Sequence, residues 1–300
     1  MKKTAGIICA LLAAAMLTGC GEGSESSAPS ELIIQGREEE PSKPVFPVAL
    51  SDGTVIESEP ESVASLSPAA TEIIAELGFS DRLCAVSRYC DYPRGLVGVT
   101  VGSSENPDID KLLELAPDVV FTMSGIAERE RYTLNAAGIT VVELSAPDSV
   151  PDYVQLYRTV GTVFGGGSEG AAAGEKATAG LAGAADGIKL GSFVYVTPKL
   201  TAAAGDTFES AVLSLCGKNI CTGHGYISDA EAEVGTPEYI IAADSLTQGD
   251  ISGSALLSGM LSDGARLVFV PAERFERPSA RIADIFAALR DGIRGEVTSE

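Results

Sequence analysis

The chain has 300 residues, 45% of them apolar, no tryptophan and a net charge of −21. So acidic a protein repels polyanions, which argues against a nucleic-acid partner and against binding to anionic headgroups. The apolar share supplies a sizeable core, and the length beyond the N-terminal segment suits two domains of roughly 100–150 residues.

Read in chain order, Lys2 and Lys3 precede an apolar run, Ile7 to Leu17, that is too short to span a bilayer. This is the pattern of a secretion signal. It ends in Leu17-Thr18-Gly19-Cys20, which resembles a bacterial lipobox. That resemblance implies cleavage after residue 19 and a lipid on Cys20, so the chain is expected on the extracytoplasmic face of the cell membrane, anchored by lipid. No later segment is apolar and long enough to cross a membrane. Residues 20–43, rich in Ser, Glu, Pro and Gly, read as a flexible tether.

Two short apolar runs around Asp52-Gly53 signal a hairpin. A βα rhythm follows. SVASL (62–66) is a strand. SPAATEIIAELG (67–78) is a helix with Ser67 as cap, Pro68 at its first position and Gly78 past its end. RLCAVS (82–87) is a strand. NPDIDKLLELAP (106–117) is a helix with Asn106 as cap and Pro107 at its first position. DVVFTM (118–123) is a strand, residues 127–139 a helix, and TVVEL (140–144) a strand. Residues 149–165 and 168–191 form two helices broken at Gly165-Gly166-Gly167, the second smooth and alanine-rich. A second set comprises the strand SFVYVT (192–197), a helix at 206–217, a loop holding His224, and helices at TPEYIIAADS (236–245) and SALLSGML (254–261). It closes with the strand RLVFVP (266–271) and a terminal helix at 279–293. Strands alternating with helices predict an α/β fold of mainly parallel sheets in two Rossmann-like lobes, 44–150 and 191–300, bridged by 151–190. The cleft between lobes is the expected ligand site.

Four cysteines lie beyond the tether: Cys84, Cys90, Cys216 and Cys221. Local pairs 84–90 and 216–221 and free buried thiols both fit an exported chain, and no CxxC spacing favours a metal.

SPAATEIIAELG, SRYCDYP (87–93), NPDIDKLLELAPDVVF and ERFERPSARI (273–282) resemble the substrate-binding lipoproteins of ABC importers for cobalamin, haem and ferric siderophores, nearest the cobalamin branch. The resemblance covers the chain from about residue 45. It implies the two-lobed class III periplasmic-binding-protein fold joined by a long helix, no catalysis and no resident cofactor or metal. It also implies a corrinoid ligand, with haem or a ferric siderophore as alternatives, and partnership of a monomer with a permease and its ATPase.

SRYCDYP follows a strand end, where open α/β sheets meet ligands. By resemblance Tyr89 matches the ring-packing tyrosine, with Arg88 beside it and Tyr92 in support; a tyrosine offers a flat face and a hydroxyl to a corrin's amides. Met123 stands where relatives often carry tryptophan, and Ser104 or Glu105 lies near another such place. Glu273 and Arg277 match an acid and an arginine at the ligand's polar edge, although an ion pair within the lobe is the alternative. Asp110 and Glu238, each read as lying in the first turn of a helix opened by proline, match acids that dock on permease arginines. Asp108 is a substitute for Asp110. His224 is the single histidine, which leaves a zinc or manganese site without ligands. The chain has no GxSxG, P-loop or HExxH motif of an enzyme.

Overall fold

The computed structural model describes residues 44–123, 125–228 and 234–295. The signal, Cys20 and the tether lie outside them. The described residues fall in one compact unit.

A small antiparallel hairpin, β1 (Val48–Ala49) and β2 (Val55–Ile56), turns at Asp52, which accepts from Thr54 N at 2.9 Å. The first sheet contains β3 (Val63–Ser65), β4 (Leu83–Val86), β5 (Val99–Thr100), β6 (Val119–Thr122) and β7 (Thr140–Glu143). All its pairings are parallel, in the order β5-β4-β3-β6-β7. Helices α1 (Pro68–Glu76), α2 (Ile109–Leu115) and α3 (Glu128–Ala136) cover it. Ser67 caps α1 by accepting from Ala70 N, with Pro68 at its start, as the sequence predicts. Helix α2 starts later than expected. Asp108 is its cap, accepting from Lys111 N at 3.1 Å, while Asn106 closes a turn with Ser103 and Pro107 stays outside the helix.

Helix α4 (Val150–Ala185) is two arms. Gly165 and Gly166 leave helical geometry, Gly166 with φ of +71°, and the chain folds back there. A straight helix separates residues 161 and 169 by about 12 Å, yet a Cβ built on Gly161 would lie 2.8 Å from the Glu169 carbonyl and from Ala173 Cβ. Glycines at the crossing let the two backbones touch. The second arm, 167–185, runs along both lobes: Lys176 Nζ donates to the Glu76 carbonyl at 2.5 Å, and Arg290 donates to the Ala184 carbonyl at 3.0 Å. It is the smooth alanine-rich connection that the sequence predicts.

The second sheet has β8 (Gly191–Val196), β9 (Ala202–Ala203), β10 (Gly217–Asn219), β11 (Tyr226–Ile227), β12 (Tyr239–Ala243) and β13 (Arg266–Val270). Its order is β11-β9-β8-β12-β13, with β10 also on β8. Helices α5 (Phe208–Leu213), α6 (Gln248–Gly253), α7 (Ala255–Ser262), α8 (Glu273–Glu276) and α9 (Ala283–Arg294) accompany it. TPEYIIAADS is therefore not a helix. Its YIIAA run is buried throughout between β8 and β13, where β-branched residues without polar alternation suit a central parallel strand. The two lobes repeat one entry device, Pro117-Asp118 before β6 and Pro237-Glu238 before β12. Asp118 N donates to Ser62 O at 2.8 Å, and Glu238 N to Ser192 O at 3.0 Å.

One apolar core unites the inner faces of both sheets with α4; smaller clusters fill the outer face of each lobe. Phe79 stacks on Phe164 at 4.3 Å, and Tyr153 on Phe208 at 6.2 Å. All four described cysteines are free. Cys216 belongs to the central core and Cys221 to the outer cluster, on different sides of the sheet. Cys84 donates to Val63 O, whereas Cys90 meets the Thr71 hydroxyl at 3.1 Å. Burial pushes the Cys216 thiol up to about 11.

Candidate functional site: the cleft between the lobes

Parallel strands deliver their following loops to one edge of each sheet, and the two edges face each other. From the first lobe come Ser67 after β3, Arg88 and Tyr89 after β4, and Met123 after β6. From the second come Asp206 before α5 and the 271–282 segment after β13. Hydrogen bonds shape the tyrosine loop: Ser87 N donates to Ser65 O, Tyr89 N to Ser87 Oγ and Arg88 N to Gly102 O. They leave Tyr89 55% exposed.

Two cavities occupy the cleft. One, of about 250 Å3, is lined by Leu66, Ser67, Pro68, Tyr89, Ser104, Glu105 and Met123, with Glu276 and Arg277 opposite. The other, of about 360 Å3, has Met123, Pro147 and Asp148 on one side and Asp206, Phe208, Glu209, Tyr226, Phe275 and Glu276 on the other. They meet at Met123 and Glu276. A further cavity of about 300 Å3 lies outside the cleft, between the hairpin turn at Asp52 and the first arm of α4.

Arg277 crosses the cleft, its guanidinium 2.6 Å from Asp91 Oδ1. Arg88 sits 5.7 Å from the Tyr89 ring centre. Tyr92 lies under the Arg281 guanidinium at 4.5 Å, so it serves the contact between lobes. Glu273 is held within its own lobe by Arg274, and Arg281 lies 4.0 Å from it; Glu276, not Glu273, lines both cavities.

Behind the cleft lies a polar junction that the sequence reading missed. Glu72, 1% exposed, accepts from Ser279 Oγ at 2.6 Å and Arg281 at 3.0 Å. Glu76 accepts from the Tyr157 hydroxyl and from Ala280 N at 3.0 Å, and Tyr153 donates to the Ser279 carbonyl at 3.2 Å. Burial raises the Glu76 carboxyl above its ordinary value of 4.5 against the pull of those hydrogen bonds. Burial also drives the Tyr153 and Tyr157 hydroxyls far up. The available signal was that Glu72 and Glu76 share an i, i+3, i+4, i+7 stripe with Ala69 and Ile73, where a solvated acid is out of place.

At the rim, His224 Nδ1 is 3.0 Å from Asp206 Oδ2, and its side chain is almost wholly exposed. The amide of Gly225 and then His224 hold the Asp206 carboxyl below its usual range. Burial first, then Glu209, pushes the Tyr226 hydroxyl up to about 12. Among the described residues, no three His, Cys, Asp or Glu side chains are grouped to hold a metal ion.

The two acids expected at matching helix starts do not match. Asp110 lies in the first turn of α2, at the cleft edge of its sheet. Glu238 precedes strand β12, at the opposite edge of the second sheet, and no helix starts there. Its counterpart in the first lobe is Asp118.

Comparison with known proteins agrees with this architecture. Residues 63–191 match the periplasmic binding protein family. The motifs' resemblance to importer substrate-binding proteins is thereby supported. An uncharacterised ABC transporter substrate-binding lipoprotein of Bacillus subtilis is 33% identical over 174 residues, 55% of this chain and 52% of its own length, so the chain spans about half of that relative. A cobalamin-binding protein of Halobacterium salinarum is 24% identical over 274 residues, 80% of this chain and 74% of its own. Two solved structures share the fold: the vitamin B12-binding protein of Vibrio cholerae (TM-score 0.57, 23% identity, 78% of this chain and 97% of that one) and a haem-binding protein from Pseudomonas aeruginosa (TM-score 0.57, 22% identity, 80% and 94%). The fold is thus that of the class III periplasmic binding proteins. No described helix is long and apolar enough to cross a membrane.

Proposed function

We propose that this protein is the extracytoplasmic, lipid-anchored receptor of an ABC importer, and that it captures a corrinoid between its lobes for delivery to the permease. The observation that carries the reading is the paired cavity meeting at Met123, walled by Tyr89 on one lobe and by Glu276 and Arg277 on the other. Neither cavity alone has room for a broad macrocycle. We read the Arg277–Asp91 pair as the contact that parts to admit a larger ring, with the Tyr89 ring and the Met123 thioether as adaptable apolar surfaces for it. Arg277 then donates to the ligand's peripheral amides. The name of the Halobacterium relative supports this ligand. Haem or a ferric siderophore is the second reading, favoured by the haem-binding protein that shares the fold.

Absorbance spectra after incubation with cobalamin, cobinamide, haem and ferric siderophores test the ligand; retention of haem or a siderophore with no corrinoid retained overturns it. Replacing Cys20 by serine is expected to abolish membrane fractionation. Docking through Asp110 belongs to the same proposal: its carboxylate is exposed at the start of α2, on the cleft side. Charge reversal there is expected to leave ligand binding intact and abolish uptake. Glu238, at the far edge of its lobe, lacks that placement.

A further inference from the structure

The charge lining the cleft narrows the ligand further. The described residues lining its two cavities include Glu105, Asp148, Asp206, Glu209 and Glu276, against one arginine, Arg277. That arginine is already matched by Asp91 at 2.6 Å. Among the described residues, no lysine or arginine forms an ion pair with Glu105, Asp148, Glu209 or Glu276. Asp206 has only His224. Arg88 keeps its charge but is exposed at the rim, 5.7 Å from the Tyr89 ring centre, and lines neither cavity. The acids come from both lobes, so any ligand seated between them lies within their combined field. The chain as a whole, at −21, adds to the same sign.

A cleft with low-dielectric walls focuses such a field and concentrates ligands of the opposite charge. Placing like charges together costs several-fold to many-fold in affinity, because neither carboxylate has a cation to turn to. Haem brings two propionates and a ferric triscatecholate three negative charges. Both meet the acids with one arginine between them.

We infer that the cleft selects by charge, taking a neutral or cationic metal macrocycle or chelate and rejecting anionic ones. This rests on the cleft being the ligand site, as proposed above, but not on the ligand being a corrinoid. Glu209 and Glu276 set the selectivity, since they stand on the second lobe opposite Asp148 and Met123. Asp91 keeps the one arginine occupied until a neutral hydrogen-bond acceptor replaces it.

The test uses three ligands with one corrin skeleton. These are cyanocobalamin, which is neutral; its derivative with one peripheral amide changed to a carboxylate; and the derivative in which that carboxylate carries an aminoethyl amide, which is cationic. Calorimetry on the full chain at low salt is expected to rank cation above neutral above anion, with about tenfold or more between the extremes. About 0.5 M salt shortens the screening length to a few ångströms and is expected to shrink that gap to about twofold. The double variant Glu209→Gln/Glu276→Gln is expected to flatten the series at low salt. Equal or tighter binding of the carboxylate derivative, or tight binding of haem, overturns the inference. Binding of the cationic ferric trishydroxamate ferrioxamine B, with no corrinoid and no haem bound, retains the charge selection and overturns only the corrinoid reading.

Discussion

The lobes meet in two places that differ in how they treat charge. Behind the cleft, Glu72 is taken out of water and Glu76 partly so, and both are given donors from the other lobe: Ser279, Arg281 and the amide of Ala280. In front, Asp91, its side chain 69% exposed, meets Arg277, whose side chain is 23% exposed. A buried carboxylate that loses its partners is left with its desolvation penalty, whereas a pair whose acid already stands in water separates at a smaller cost. The rear contact is therefore a fixed joint and the front contact a latch. The 271–282 segment carries both, so the latch is within five residues of its own fulcrum.

Removing the joint should have the largest effect. Glu72→Ala strands Arg281 and Ser279 without their acceptor, and a loss of about 3 kcal/mol is expected from denaturant unfolding followed by circular dichroism. A loss below about 1 kcal/mol means the junction is not the joint. Tyr89→Ala removes a half-exposed ring from the cleft wall. Corrinoid affinity is expected to fall about tenfold, close to 1.4 kcal/mol, with unfolding nearly unchanged. Equal losses in folding and binding would mark Tyr89 as a sheet cap instead. Asp91→Ala opens the latch. Stability is expected to fall by about 1 kcal/mol, less than at the joint because only the arginine of this pair is largely buried, while the freed Arg277 tightens binding of an amide-bearing ligand several-fold; weaker binding contradicts the latch.

The smallest effect concerns pH. Burial raises the Glu76 carboxyl in the folded state above 4.5. Its protonated form thus favours folding. That contribution is complete below pH 4.5 and is lost as pH rises through the folded-state value. Relative to Glu76→Gln, the parent should gain stability on acidification from neutral pH towards 4.5, read as a difference in Tm. A constant difference across that range removes Glu76 from the joint's pH response.

The fold was legible where local chemistry was unambiguous. Ser67, Pro68 and Gly78 bracket α1, and the glycines at 165–167 break α4 where the chain turns back. At α2 the expected cap, Asn106, gives way to Asp108, whose carboxylate reaches Lys111 N. YIIAA carries no period and fits a buried helix or a buried strand alike; the matching Pro-acid pair before β6 was the signal for a strand. Strand ends and the resemblance together put Tyr89, Met123 and Arg277 at a cleft, and all three line one cavity there. The Glu72–Ser279 contact joins residues 207 positions apart, and no local pattern announces such a partner.

Hydrogen exchange of the full chain, with and without cyanocobalamin, tests the central claim most directly, because it reports where the ligand sits. The account predicts new protection at Arg88 and Tyr89, at Thr207 to Glu209 and at Glu276 and Arg277, with the Ala280 amide, which lines neither cleft cavity, unchanged. Protection confined to Leu50 to Asp52 and Gln155 to Thr159, around the cavity outside the cleft, would contradict it.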